Sequence, residues 1–294
     1  MTAHAFLPPS GAASWLHCPK WALVNAVNPS PTTDAAEEGT AMHELGELIL
    51  KDALRGINTP AAKYVGHTFN GIEIDEEMAE AVQVYVDYCL ELCRKFSIFG
   101  GNLLMVEGRV DIPSIHAQCW GTLDFGLYAP EKRVIHVVDF KGGMCYVDEY
   151  ENWQLICYLI GLLDKYKING ELDQVTDVVA TVVQPRAYGH GEAVRSWTLK
   201  ASDLRGYANK LRQAAELIWS GQGHAQAGEH CHYCPAKLEC NAFLRSAFNA
   251  VDVAGTLQTM GLKDSELGPA LDLVATARKR IEQMHDALEE QAKH

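Results

Sequence analysis

Asp139 and Lys141 stand two positions apart at the end of the stretch IHVVDFKGG, 135–143. Residues i and i+2 of a strand share a face, so an acid and a base project side by side where an apolar run stops. Fifteen positions upstream, GTLD, 121–124, ends on Asp124. Two carboxylates brought to one point repel each other unless a cation lies between them. A divalent ion that prefers oxygen ligands, Mg²⁺ or Mn²⁺, meets that need. A protonated Lys141 does not ligate a metal, but it orients a water or stabilises negative charge developing on a phosphate. Metal-assisted phosphodiester hydrolysis is the chemistry this set fits. An isolated D-x-K reads equally well as a surface ion pair.

Three further features belong with these acids. GTAMH, 39–43, places His43 on a helical stretch, and Glu107 lies on the strand before Asp124. Gln154 and Tyr158 follow Lys141 at a spacing of four, which puts both on one helix face. A second group is made of cysteines. EHCHYCPAKLEC gives Cys231, Cys234 and Cys240, three close thiols in the pattern of a metal site, and Cys18 in SWLHCPKWAL is the natural fourth. Four thiolates suit zinc or an iron–sulfur cluster. Zinc has a further option in His230 or His232 with the triple alone. The scattered Cys89, Cys93, Cys119, Cys145 and Cys157 read as small buried hydrophobes.

The elements that must position these groups follow from periodicity. Segments 36–55, 74–96, 150–166, 201–221 and 264–294 show helical spacing, with Asp75 and Ser202 as caps, and a short helical patch spans 15–27. Segments 102–112, 117–129, 132–142 and 175–186 are short, rich in β-branched or aromatic residues, and punctuated by Gly and Pro. The sum is an α/β core with helical additions. The chain has 294 residues, 48% hydrophobic and 21% charged, with a net charge of −13. No apolar run reaches the length of a membrane span, and the first residues lack the regions of a signal peptide; a cytoplasmic protein without membrane partners is expected. The negative charge speaks against broad electrostatic binding of nucleic acid, although it leaves room for a local groove.

In order, Gly39 to His43, Gly121 to Asp124, Asp139-Phe140-Lys141 and Gln154 to Tyr158 resemble the motifs of the PD-(D/E)XK nuclease superfamily, in its RecB-like branch. The resemblance implies a restriction-endonuclease-like core, a central mixed sheet flanked by helices. It implies His43, Asp124, Asp139 and the Phe140 carbonyl as metal ligands and Lys141 as the catalytic lysine. Gln154 and Tyr158 would contact DNA or brace the site, and Glu107 would take a second-shell or second-metal position. One cysteine before the core and a triple after it is similar to the iron-staple group, which includes AddB-type helicase–nucleases and CRISPR-associated exonucleases. That likeness implies a [4Fe–4S] cluster on Cys18, Cys231, Cys234 and Cys240, closing a loop of roughly two hundred residues, with Zn²⁺ as the alternative. Phage-encoded members are the most alike.

The expected organisation is a nuclease domain over 1–262, with 1–36 and 222–250 forming a helical cysteine-metal staple, and a helical extension over 263–294. The expected activity is a Mg²⁺- or Mn²⁺-dependent DNA exonuclease in phage recombination or replication, acting on single strands or duplex ends. An annealing protein or a homo-oligomer would be its partner. The alternatives are a non-catalytic DNA-binding or assembly protein that keeps the fold, and a zinc-stabilised structural module. Lys20, Arg109, Lys132, Arg133, Arg186, Lys210, Arg212 and Arg278 to Arg280 are the candidate phosphate contacts, and Trp120, Trp153 and Tyr146 the candidate stacking rings. Of these, Arg186 and Trp153 are the ones expected to meet DNA.

Overall fold

The computed structural model describes residues 5–28, 33–166, 175–257 and 263–292. Parts of the expected segments, namely 1–4, 29–32, 167–174, 258–262 and 293–294, lie outside the described residues. The helices are α1 Ala12–His17, α2 Pro19–Val27, α3 Asp34–Leu54, α4 Glu76–Phe96, α5 Trp153–Lys165, α6 Leu204–Trp219, α7 Asn241–Leu257 and α8 Asp264–Ala292. The strands are β1 Thr68–Phe69, β2 Ile72–Glu73, β3 Leu104–Asp111, β4 Trp120–Ala129, β5 Val134–Phe140, β6 Asp177–Val183 and β7 Val194–Lys200. The chain divides into two compact units, Met1–Ala12 with Pro31–Gln213, and Ala13–Ser30 with Ala214–His294.

In the first unit a five-stranded sheet runs in the order β3-β4-β5-β6-β7. The β5–β6 pair is parallel and the other pairs are antiparallel. A parallel pair needs a crossover connection, and α5 lies on it. Alternation along the strands sorts the two faces. Phe125, Leu127, Val138 and Phe140 join Leu45 and Ile49 of α3 and Val82 and Tyr85 of α4 in one apolar cluster. The Tyr85 and Phe140 rings stack at 4.9 Å. Gly46 lets α4 approach α3, because a Cβ there would stand 3.3 Å from the Tyr85 ring. The other face receives α5, which is buried along Leu155 to Leu162.

The helices start where local chemistry starts them. Asp75 accepts from the Met78 N–H at 2.7 Å and caps α4 as expected. Thr33 caps α3. Asn152 caps α5, accepting from Gln154 and Leu155 N–H groups at 3.1 and 3.2 Å. Ser202 lies instead within a short 3₁₀ turn, Ala201–Asp203, that leads into α6. Two strand pairings were not expected from the sequence: the β1–β2 hairpin, turning at Asn70 and Gly71 with positive φ, and the edge strand β7. Cys89, Cys93, Cys119 and Cys157 are buried, but Cys145 is exposed, because it lies in the loop that leaves the sheet after Lys141.

In the second unit, Cys18 is the N-cap residue of α2. Cys231 lies in the 3₁₀ turn Glu229–Cys231, and Cys240 immediately precedes α7. The C-terminal helix α8 holds this segment: Arg280 donates to the Gly228 carbonyl, and Lys279 pairs with Glu229 at 2.6 Å. Among the described residues, no helix is long and apolar enough to cross a membrane.

Gly161 of α5 faces Val110 of β3 so closely that a Cβ would come within 2.4 Å of the Val110 side chain. Overpacking of this kind costs about 1–3 kcal/mol, against a gain of about 1 kcal/mol in helix propensity. Gly161→Ala is therefore expected to lower the midpoint of urea unfolding, measured by circular dichroism, without changing the m-value.

Candidate metal centre

Strand register builds the site. Val106 pairs with Phe125 and Gly108 with Leu123, so Glu107 of β3 stands opposite Asp124 of β4. The β4–β5 ladder ends at the Phe125–Val138 pair, and Asp124 and Asp139 are the next residue of each strand beyond it. The three acids thus gather on three adjacent strands where the β4–β5 pairing stops, near enough for Asp139 and Glu107 both to disfavour the charge on Asp124. Glu107 adopts a positive φ of 45° inside its strand, a conformation that costs a non-glycine residue about 1–3 kcal/mol and recurs at functional sites.

His43 of α3 meets this row. Its Nδ1 lies 3.4 Å from Glu107 Oε1 and 3.7 Å from Asp124 Oδ1. The ligand atoms of His43, Glu107 and Asp124 lie within 4.8 Å of one another. The imidazole packs edge-on against Phe140 at 5.4 Å, which fixes its plane. Asp124 is buried, and its second oxygen accepts the Phe140 N–H at 2.7 Å. Asp139, 2% exposed, is held from the other side. Its Oδ1 accepts from Gln154 Nε2 at 2.9 Å, and its Oδ2 lies 2.9 Å from Lys141 Nζ. Gln154 also accepts from Lys141 Nζ at 3.2 Å, bridging the acid and the base.

Tyr158, one turn along α5, donates to the Thr122 carbonyl at 2.5 Å and is buried. Gly121 is what makes room: a Cβ there would come within 2.8 Å of the phenol oxygen. The Gly121 and Tyr158 motifs are therefore two sides of one contact, which braces β4 at Gly121 and Thr122, two to three residues before Asp124. Gly142 has a similar reason, since a Cβ would come within 2.7 Å of the Met42 sulfur on α3.

The electrostatics of the metal-free row show its appetite for positive charge. Burial disfavours charge on His43, but Asp124 first, then Glu107 and Asp139, outweigh it and raise its pKa to about 9. Burial pushes the Asp124 carboxyl above its usual range, with Asp139 and Glu107 adding to the effect and His43 and Lys141 opposing it. Burial likewise opposes the Lys141 charge, yet Asp139 and Asp124 raise its pKa, so it remains an ammonium at neutral pH.

The structure brings together His43, Asp124, Asp139, Lys141, Gln154 and Tyr158. It places Glu107 beside His43, closer to that imidazole than Asp124 is. The signal in the sequence was an acid inside an apolar strand. Phe140 meets Asp124 through its N–H. Arg186, an expected DNA contact, is buried with its guanidinium engaged by Glu77 at 3.0 Å and by Glu38 and the Gly142 carbonyl at 3.1 Å. Trp153 is half-buried against Tyr207, ring centroids 5.6 Å apart. Sequence reasoning passed over Gln184. It is buried, donates to the Gly143 and Cys145 carbonyls at 2.9 and 2.7 Å, and so fixes the chain just beyond Lys141. Its signal was an amide directly before Pro185 at the end of a core strand.

In the second unit, Cys18 and Cys231 are buried and Cys234 and Cys240 are half-buried. Burial raises the Cys234 pKa, and Cys231, Cys18 and Cys240 raise it further. Among the described residues no three of these sulfurs gather within 4.8 Å.

A family model described as "Protein of unknown function (DUF2800)" matches residues 4–294.

A metal ligand must be deprotonated to bind. With the His43 proton lost only near pH 9, Mn²⁺ affinity is expected to rise with pH across the range from 6 to 9, by about tenfold per unit for each proton displaced. Titration calorimetry in buffers of different ionisation enthalpy measures both the slope and the protons released. A pH-independent affinity would show that His43 is not a ligand.

Proposed function

The chain belongs to the DUF2800 family, and from the geometry of its acidic row we propose that it is a divalent-metal-dependent deoxyribonuclease with a restriction-endonuclease-like core. The observation that carries this reading is the alignment of Glu107, Asp124 and Asp139 on adjacent strands, with His43 on one side and the Lys141 ammonium on the other. The donor set of carboxylates and one imidazole suits Mg²⁺ or Mn²⁺. The raised pKa values of His43 and Asp124 are what such a site shows when protons stand in for a cation. His43, Asp124 and Asp139, with Glu107 and the Phe140 carbonyl, would hold the ion.

A divalent cation bound there supplies Lewis acidity toward a phosphoryl oxygen and a water of lowered pKa. The chain's own residues do the rest. Lys141, kept charged by Asp139, offers an N–H donor to the attacking water and to the charge that grows on the phosphate. Gln154 holds Lys141 and Asp139 at a fixed separation. Tyr158 acts through Thr122 on the strand carrying Asp124 and is a positioning residue. The choice of DNA as substrate, a role beside an annealing protein, and the likeness to phage-encoded RecB-like exonucleases rest on the motif resemblance.

The same resemblance supports a [4Fe–4S] cluster on Cys18, Cys231, Cys234 and Cys240. Sulfurs around one tetrahedral Zn²⁺ lie about 3.8 Å apart, given Zn–S bonds of about 2.3 Å. Anaerobically purified protein is expected to be brown, with broad visible absorption that Cys231→Ser removes; a colourless protein containing one zinc per chain would reject the cluster.

For the nuclease itself, Asp139→Asn, which removes a ligand charge, and Lys141→Met, which removes a charge-stabilising donor, are each expected to reduce Mn²⁺-dependent nucleotide release from end-labelled linear DNA by at least about 10²-fold. Chelator should abolish release by the wild type, and closed circular DNA should resist if the mode is exonucleolytic. Activity surviving in both folded variants would overturn the proposal and leave a DNA-binding or assembly role.

A further inference from the structure

The loop between β5 and α5 leaves the sheet at Lys141 and enters the helix just before Gln154, so it borders the metal centre at both ends. It presents Met144, Tyr146 and Tyr150 to solvent, 59%, 40% and 60% exposed. These side chains sit on a stiff support. Gln184 donates to the Gly143 and Cys145 carbonyls and accepts the Val147 N–H at 3.0 Å. Arg195 donates to the Val147 carbonyl at 2.8 Å and pairs with Glu149 at 3.3 Å. Its guanidinium lies 4.6 Å from the centre of the Tyr146 ring. Tyr150 begins a run of rings through Trp197 and Tyr207 to Trp153, with successive centroids 5.1, 6.1 and 5.6 Å apart. The run ends on the residue before Gln154.

We infer that this pinned loop is a stacking surface for the unpaired bases of a single nucleic-acid strand whose phosphate lies at the metal centre. The inference rests on the nuclease reading and narrows its substrate to a single strand or a frayed end. Rings fixed before binding lose little freedom on contact, and every base offers a face to stack. The acids of the loop are themselves engaged: Asp148 accepts the Tyr150 N–H, Glu149 pairs with Arg195, and Glu151 accepts the Tyr207 hydroxyl. These contacts help hold the loop and Tyr207 in place. In a chain of net charge −13, a grip through ring faces also avoids the need for many phosphate contacts. Such a grip releases few counterions, so its affinity falls only gently with salt.

The test measures binding of a fluorescein-labelled oligothymidylate to the full chain in Ca²⁺, alongside Mn²⁺-dependent nucleotide release and Mn²⁺ binding. Tyr146→Ala and Tyr150→Ala are each expected to weaken oligonucleotide binding roughly 5- to 100-fold. Tyr150→Phe should retain it, and all three variants should bind Mn²⁺ as the wild type does. The slope of log affinity against log salt should be shallower than about −2. Unchanged affinity in both alanine variants, no oligonucleotide binding by the wild type, or a steep salt slope would overturn the stacking surface. The nuclease reading would still stand if nucleotide release persists. Binding that depends on the tyrosines in a protein that releases no nucleotides would instead keep the surface and remove the nuclease.

Discussion

Repulsion between crowded carboxylates is the constraint on which the first unit is organised. Glu107, Asp124 and Asp139 gather on three adjacent strands, and nothing in a β-ladder relieves acids brought so close. Relief comes from outside the sheet and from both of its faces. His43 arrives on α3, while Lys141 and Gln154 flank Asp139 at the start of the α5 connection. The two helical layers are thereby tied to one electrostatic problem as well as to the apolar core.

Backbone proximity carries that solution. Gly121 and Gly142 are places where chain and side chain meet too closely for a Cβ. The first admits the phenol of Tyr158 and the second admits α3 beside the strand end. Asn152 caps α5 through two N–H groups, one of them on Gln154, so the helix start and the carboxamide that grips Asp139 are set together. Gln184 and Arg186, one residue apart across Pro185, anchor the chain after Lys141 from beneath, through carbonyls of Gly142, Gly143 and Cys145.

Much of this was legible in the chain. The α4 start at Asp75, the four expected strands and the α5 helix follow from periodicity and caps. Asp139, Lys141 and Asp124 were visible as acids and a base at the ends of apolar runs. Their meeting was not, because facing depends on strand register, and register is set by the turn between β4 and β5 and by burial on both faces. Glu107 was ambiguous for a related reason: an acid in a strand reads as an edge residue until the neighbouring strand is known. β7 escaped notice since VRSWTLK alternates with polar residues on both sides, as an edge strand allows. Arg186 looked available because sequence shows a cation and hides its partners, and Glu38 and Glu77 come from helices more than one hundred residues upstream.

The left-handed backbone of Glu107 has a consequence beyond the candidate metal centre. β3 is an outer strand of the sheet, and its free side would otherwise present an uninterrupted row of N–H and C=O groups to any extended chain in the cell. A single residue out of pleat spoils that template at its midpoint. The distortion at Glu107 thus also guards the outer strand, Leu104 to Asp111, against pairing with another extended chain. A relaxed residue at position 107 would leave that edge open.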